Sequence, residues 1–566
     1  MKKGKNLIIE QFLKDNISYM FGNPGTVEQG FLDVLKEYPD MNYIMTLQES
    51  IALGIADGYA RITKKPALVQ LHSGVGLGNG IGMLYQANRG HAPLVVLAGE
   101  SGVKYDSMDA QMAADLVSMA KPVTKWATRI IDPDSILRVL RRAIKIASTP
   151  PTGPVFVCLP MDILDADCSE EVVLTPQLST SVLPDEKLLT SVAQILVDAE
   201  KPLIIMGDGI AFSGAQDELA ELSSLLGAQV WGADSSEVNI DTTLPNYSGL
   251  LGHMFGYNSK PVTSKADAVL ISGTYILPEV FPELTGVFNR NTKVIHIDLN
   301  AYEIAKNFPV DIGIVSDPRL TLRKLIDIIK NTASESQKST ALDRQRKLIE
   351  KKEKDRKNQL ENDNRLIQEI SMHPARFMKV LADKLPDDTI IFDEALTSSP
   401  ELSRYIPPVK KGYFFQTRGG SLGVGIPGAI GLKLAEPEKT VIGFTGDGGS
   451  MYTIQALWTA VHHNIGAKFI ICNNHSYRLL ELNIQAYWKE RNIPSHSYPD
   501  MFAITRPAPC YAGIARAMGV PAMKVQKPEE IDPAICEMLK DDRPFLIDLF
   551  IQNEPDKNKR NCKCGQ

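Results

Sequence analysis

Residues 440–477 read TVIGFTGDGGSMYTIQALWTAVHHNIGAKFIICNNHSY, and the fold class can be read from them. Val441–Thr445 and Phe469–Cys472 are short, largely apolar runs. Runs of this length without polar alternation suit strands buried on both faces, as in parallel sheets covered by helices. Each run ends in a polar cluster: Gly446-Asp447-Gly448-Gly449-Ser450 after the first, Asn473-Asn474 after the second. A helix is expected to begin near Met451. Both clusters then lie at the carboxyl ends of parallel strands, where open α/β sheets bind ligands. The glycines let backbone amides approach a phosphate at a helix start, where the dipole favours an anion. Asp447 offers a carboxylate and Asn474 an amide oxygen. These are hard ligands suited to Mg²⁺ or Ca²⁺, with phosphate oxygens and water completing the shell.

A bare strand-to-helix turn would explain a lone GDG equally well, and the chain carries its own comparison. Gly207-Asp208-Gly209 also follows a strand-like run, Leu203–Met206. Only the later copy is followed by Asn-Asn, with Asn474 lying 27 positions after Asp447.

On either side of this stretch, the same alternation of short buried runs and amphipathic segments fills the chain. Candidate strands include Tyr43–Leu47, Ala67–Leu71, Leu94–Leu97, Ala268–Ser272, Val294–Asp298, Thr389–Asp393 and Phe545–Phe550. The class expected is α/β, with doubly wound parallel sheets. Two shifts in composition mark boundaries: a Ser, Thr and Pro-rich stretch near 170–185, and a charged stretch near 331–365 poor in large apolar residues. The division expected is 1–182, 183–332, a charged and partly helical linker 333–365, 366–552, and a polar tail 553–566.

The 566 residues include 44% hydrophobic and 23% charged residues, an ordinary balance for a soluble protein. The 61 basic and 67 acidic residues leave a net charge of −6, which argues against a nucleic-acid partner. The opening MKKGKNLIIEQFLKDN is too short and too broken by charge for a signal peptide or a membrane span, and reads as an amphipathic helix. Of seven scattered cysteines, Cys158, Cys472, Cys510 and Cys536 have apolar neighbours and are expected to be buried thiols. Cys562 and Cys564 stand close together in the tail, too few for a structural zinc site. A reducing cytoplasm is the expected compartment.

A further segment, YIMTLQESIALGIADGYAR, places Glu49 after a strand and at the start of a helix rich in Ile, Ala, Leu and Gly. By itself that position suits a carboxylate favoured by the helix dipole. Taken with GDGG and the spaced NN, however, Glu49, Gly54 and Ala56-Asp57-Gly58-Tyr59-Ala60-Arg61 resemble the motifs of thiamine-diphosphate enzymes. The resemblance covers nearly the whole chain. It is nearest to benzoylformate decarboxylase and, more broadly, to acetolactate-synthase-like proteins. It rests further on Phe21-Gly22-Asn23-Pro24-Gly25-Thr26, Leu47-Gln48-Glu49, Leu71-His72-Ser73 and Ala92-Pro93-Leu94.

The resemblance implies three domains, pyrimidine-binding, middle and diphosphate-binding. It implies metal ligands Asp447, Asn474 and the carbonyl of Ser476, and a cofactor site made of Pro24, Gly25, Glu49, Thr397, Gly420, Leu422, Gly446, Asp447, Gly448, Gly449, Ser450, Asn474, Ser476 and Tyr477. Leu422 would wedge the cofactor into a V, and the Gly420 carbonyl would accept from its amino group. Glu49 would hydrogen-bond the pyrimidine nitrogen from an apolar setting and so help free a proton from the thiazolium carbon. His72 and Thr26 would act near the reacting carbon, Thr26 standing where relatives carry serine. The active site would lie between two chains of a homodimer or homotetramer, and no membrane partner is expected.

The sequence departs from benzoylformate decarboxylase in two places. The middle stretch SGTYILPEVFPELTG lacks that enzyme's histidine, and His253 is a poor substitute. Arg478 stands where the relative has a small residue; it is either a solvated helix charge or a pocket group favouring a doubly anionic substrate. Acetolactate synthases bind FAD in the middle domain, and here GDGIAFSGA is a weak nucleotide cue, so no flavin is expected. The function implied is cleavage of a small 2-oxo acid, decarboxylation to an enamine followed by aldehyde release. Acetolactate-synthase-like transfer to a second carbonyl, a non-catalytic thiamine-diphosphate binder, and a bare nucleotide-binding protein are the alternatives.

Overall fold

The computed structural model describes residues 2–233, 235–252 and 254–552. His253 and the tail with Cys562 and Cys564 lie outside the described residues. By its contacts the chain forms two units. One is Met1–Leu178 with Leu366–Ile406 and Thr417–Gln566; the other is Ser179–Arg365 with Pro407–Gln416.

Three six-stranded sheets organise the protein. The first runs Asn42–Met45, Tyr19–Gly22, Ala67–Leu71, Leu94–Glu100, Val155–Pro160, Trp126–Arg129, every neighbouring pair parallel. Leu7, Phe12, Leu137, Leu140 and Ile144, on the helices Gly4–Lys14 and Ile136–Ser148, pack with Val95 and Val157. The alternate residues Val96 and Phe156 are fully buried as well, so both faces are covered. Continuous apolar runs are the consequence. Trp126–Arg129, at the edge and only half-buried, has no such run and gives no signal in the sequence.

The middle sheet runs Tyr247–Leu251, Gln229–Ala233, Pro202–Met206, Ala268–Ser272, Lys293–Asp298, Ile312–Val315, again parallel throughout. Its strands feed two separate cores: Ile204, Leu270 and Ile295 on one face, Leu203, Val269 and Val294 on the other. In the third sheet Ile390–Glu394, Val441–Gly446, Lys468–Asn473, Phe545–Phe550 and Ala522–Val525 lie side by side and parallel. The doubly wound α/β expectation is met in all three.

The helix Glu49–Thr63 crosses the helix Gly425–Ala435 of the third sheet through glycines. A Cβ on Gly58 would stand 2.2 Å from the Gly428 carbonyl oxygen, and one on Gly431 would stand 2.0 Å from that of Ile55. Only glycine permits backbones this close. Below the crossing, Arg61 and Asp57 are both buried, 3.6 Å apart, with the guanidinium over the Phe392 ring. The Asp57-Gly58-Tyr59-Ala60-Arg61 motif is thus a packing device for the first and third sheets.

The first GDG is used internally. The Asp208 carboxylate accepts from Ser236 N (2.9 Å), Ser236 Oγ (2.5 Å), Glu237 N (3.1 Å) and Asn239 Nδ2 (3.0 Å). Gly209 lies against Gly273, where a Cβ would meet its Cα at 2.4 Å. Asp208→Ala strands four donors in a buried turn. It is expected to cost roughly 2–4 kcal/mol of that unit's stability, read from the urea midpoint.

Two expectations are corrected. The charged stretch 333–365 is helical nearly throughout, within the single helix Glu335–Glu369, rather than partly helical. Its Arg344 donates to the carbonyls of Leu226 and Ala199, and its Lys352 to those of Thr242 and Tyr247, so capping neighbouring elements replaces an apolar stripe. Cys158 and Cys472 are buried as expected, but Cys510 and Cys536 are exposed. Cys510 precedes the helix Tyr511–Ala517, and Cys536 sits on the outer face of Ile531–Leu539, between the inward Ile535 and Met538. Among the described residues, no helix is long and apolar enough to cross a membrane.

Candidate active site

The strands Val441–Gly446 and Lys468–Asn473 are neighbours, with Gly446 opposite Cys472. A residue after each strand end therefore meets its counterpart, and the 27-residue spacing is the length of the crossover between them. Asp447 is 3% exposed. One of its carboxylate oxygens accepts from Gly448 N at 2.9 Å, the other from Ser476 N at 3.2 Å. Asn474 Oδ1 accepts from the same Ser476 N–H at 2.9 Å. Asn473 is committed elsewhere, donating to Asp548 at 2.9 Å. The second asparagine of the pair is thus the one aimed at Asp447. Burial pushes the Asp447 carboxyl up to about 6, opposed by hydrogen bonds from backbone amides.

The helix expected to begin near Met451 is instead one helical turn, Asp447–Ser450, with the next helix at Ala456–His462. The turn satisfies its own polar groups: Ser450 Oγ and the buried Tyr511 hydroxyl both donate to the Asp447 carbonyl. A Cβ on Gly446 or on Gly420 would have nothing within 4 Å, so both border open space. A Cβ on Gly448 would stand 2.4 Å from the Tyr477 ring. Close approach of Tyr477 requires glycine at Gly448, whereas Gly446 borders open space and meets no such contact.

This donor set fits a divalent cation with a diphosphate. It is all oxygen, a buried carboxylate and an amide oxygen that share the Ser476 N–H, with open space at the adjoining Gly446. Among the described residues no cluster of three or more His, Cys, Asp or Glu offers an alternative metal site. Thr397 is half-buried in the turn Leu396–Ser398, and Leu422 half-buried in a loop whose Gly419, Gly420 and Gly423 take φ of +81°, +76° and +92°.

At the carboxyl ends of the first sheet, Glu49 opens its helix and is 5% exposed. Its oxygens accept from Asn23 Nδ2 at 3.1 Å and Asn79 Nδ2 at 3.0 Å. The apolar setting expected for Glu49 is therefore half right: Gly76 and Gly80 pack against it, but two amides hold it. Asn79 lies 30 residues away on the helix Ser73–Arg89, and no sequence spacing announces it.

His72 follows the strand Ala67–Leu71, and its Nδ1 lies 2.9 Å from Glu28. Glu28 is 3% exposed and also accepts from Gly99 N at 2.8 Å. Burial raises its pKa, against the pull of His72 and the amides. Gly25 packs flat on the His72 ring, where a Cβ would stand 2.0 Å from Nδ1. Pro24 and Thr26 are exposed in the same turn. Sequence reading missed Glu28, although a carboxylate two residues past Thr26 was a visible cue. Glu28→Gln is expected to lower kcat about 10–100-fold with little change in KM or cofactor affinity, in steady-state assays beside calorimetric titration.

Arg478 begins the helix Arg478–Glu490 and pairs with Glu481 at 2.9 Å, both largely buried. Glu481 also accepts from Ser476 Oγ at 2.5 Å. The guanidinium is thus a paired, largely buried charge rather than a solvated one. His91 exchanges hydrogen bonds with Thr152.

Comparison with known proteins agrees with this layout. Residues 2–119, 189–325 and 397–549 match, in turn, the N-terminal TPP binding domain, the central domain and the C-terminal TPP binding domain of thiamine pyrophosphate enzymes. The chain is 28% identical over 557 residues to a benzoylformate decarboxylase of Pseudomonas aeruginosa, covering 98% of this chain and 99% of that one. It is 27% identical over 564 residues to an acetolactate synthase large subunit of Lactococcus lactis, covering 97% and 92%. A thiamine diphosphate-dependent 4-hydroxybenzoylformate decarboxylase from Rhodococcus jostii shares the fold, with a TM-score of 0.84 at 24% identity over 98% of this chain and 100% of that one. With all three domains matched in order and the oxygen-donor cluster lying in the C-terminal one, the chain belongs to the thiamine pyrophosphate enzyme family.

Proposed function

We propose that this protein cleaves a small 2-oxo acid, using thiamine diphosphate and a Mg²⁺ or Ca²⁺ ion held by Asp447, Asn474 Oδ1 and the Ser476 carbonyl. The observation that carries this reading is the pairing at one sheet edge of two buried acids with different partners: Glu49 with Asn23 and Asn79, Glu28 with His72. When bound, the cofactor supplies the electron sink for breaking a carbon–carbon bond beside a carbonyl. Asn23 and Asn79 fix the Glu49 carboxyl so that it holds a proton at the pyrimidine nitrogen. With Glu28 ionised, His72 Nδ1 donates to it, and Nε2 is left to exchange a proton with the reacting group. Thr26 presents its hydroxyl beside them. Pro24 and Gly25 shape the turn under the ring, and Gly446–Ser450 with Thr397 and Tyr477 line the diphosphate end. Leu422 and the Gly420 carbonyl support the ring system.

The relative named for benzoylformate decarboxylation favours release of an aldehyde; the one named acetolactate synthase favours transfer to a second carbonyl. We favour release, because the Glu28–His72 pair offers a built proton donor for the product carbon. The test is a panel of 2-oxo acids given to the holoprotein with and without aldehyde acceptors, with CO₂ and products followed by mass spectrometry. Aldehyde without acceptor supports release; product only with an acceptor supports transfer. No CO₂ from any acid would leave a cofactor binder.

The site is further proposed to be shared between two chains of a homodimer, one giving Glu49 and the other Asp447. Glu49→Gln and Asp447→Ala chains, each inactive, are then expected to recover up to about a quarter of wild-type activity when mixed after dissociation, since random pairing of a twofold dimer leaves one site in four intact. No recovery, with exchange of chains verified by mass, would place the whole site in one chain.

A further inference from the structure

Glu394 ends the strand Ile390–Glu394 and is 1% exposed. One carboxylate oxygen accepts from Gly423 N at 2.5 Å, and the other accepts from Gly425 N at 2.5 Å and from Thr445 Oγ1 at 3.3 Å. A Cβ on Gly449 would lie 3.1 Å from the first oxygen, so the same group also touches the Asp447–Ser450 turn. One buried carboxylate thus joins three segments: its own strand, the loop carrying Gly420 and Leu422, and the end of the strand leading to Asp447.

Two convergent N–H donors two residues apart call for an acceptor with two oxygens and no proton between them. A carboxylate meets this need and an amide does not. The arrangement holds Gly423 from both sides, because its carbonyl accepts from Thr453 Oγ1 at 2.5 Å. Gly423 itself has φ +92°, a backbone state that ordinary residues avoid, so the loop needs external bonds to keep it. Burial raises the Glu394 pKa to about 7, against the pull of the two amides and Thr445. Keeping so costly a group in the core is explained by what it holds in place.

We propose that Glu394 is a positioning residue for the cofactor: through Gly423 and Gly425 it sets the place of Leu422 and Gly420 relative to the diphosphate turn. This rests on the thiamine-diphosphate reading above. It predicts a much larger effect on the ring end of the ligand, held through two short bonds to Gly423 and Gly425, than on the phosphate end, reached only through the longer Thr445 contact. The experiment is calorimetric titration of wild type and Glu394→Gln with two probes, thiamine diphosphate plus Mg²⁺ and inorganic pyrophosphate plus Mg²⁺. Glutamine turns an N–H₂ against one of the glycine N–H donors. Thiamine diphosphate is expected to bind about tenfold or more weakly to the variant, with pyrophosphate affinity within about twofold of wild type. Equal loss of both ligands, or loss of neither, overturns the proposal. Failure of wild type to bind thiamine diphosphate overturns the underlying reading instead. Should Glu394→Gln fail to fold, Thr453→Val, which releases the other side of Gly423, is read by the same pair of titrations and the same criteria.

Discussion

Glu49→Gln is expected to slow exchange of the thiazolium-carbon proton in bound cofactor by about 10²–10⁴-fold, the range for loss of a positioned acid–base group. Turnover of every substrate should fall with it. The fold should tolerate the change. The substituted amide can still accept from Asn23, and its new N–H₂ meets Asn79, whose own amide satisfies it by turning its oxygen inward. What is lost is the ionisable proton. Cofactor affinity should change only modestly, because Glu49 lies on the first sheet while the metal and diphosphate ligands lie on the third. Quenched NMR exchange on wild type and variant, each saturated with cofactor and Mg²⁺, provides the measurement. Equal exchange rates would reduce Glu49 to a buried helix-start charge held by two asparagines.

Asp447→Ala should act the other way, removing binding before chemistry. Its carboxylate is the only anion in the proposed ligand set, and the metal links protein to diphosphate. Affinity for thiamine diphosphate with Mg²⁺ is expected to fall at least about 100-fold. The chain supplies its own control in Asp208→Ala. That substitution alters the same GDG triplet, yet it should leave cofactor affinity unchanged while lowering stability, because Asp208 spends its oxygens on Ser236, Glu237 and Asn239. Titration of both variants decides the matter. Unchanged affinity in Asp447→Ala would sink the metal assignment, and a matching loss in Asp208→Ala would show that the two turns are not distinct.

The contrast between these two aspartates shows how far local sequence reaches. Both follow a buried parallel strand, and both sit between glycines. In both sheets the next strand in the chain lies alongside, so a polar cluster at crossover distance lands beside each aspartate. Asp447 could be told from Asp208 by the residue type that arrives there, Asn473-Asn474 rather than Ser236-Glu237. Glu49 could be placed as the first residue of a helix after a short strand, while its proposed role came from the family resemblance of the motifs around it. Strands with continuous apolar runs were equally plain. Trp126–Arg129 was not, because an edge strand half-buried on both sides needs no apolar run. Cys536 misled because apolar neighbours in a helix do not share its face, and Cys510 because it stands just before a helix whose burial begins at Tyr511.

The doubly wound class, the oxygen-donor pair Asp447 and Asn474, and the carboxylate Glu49 were all legible in the order of residues alone. Each depends on one strand, the turn after it and the next element along the chain. What those groups rest on emerged with the packed fold: Asn79 against Glu49, Glu28 against His72, Glu481 against Arg478, and Glu394 beneath the Gly423 loop. Most of these partners meet across helices and strands whose adjacency is set by sheet order and register. Side-chain hydrogen bonds reach about 3 Å, so whether two such residues touch depends on how the sheets and helices pack, which sequence separation does not encode.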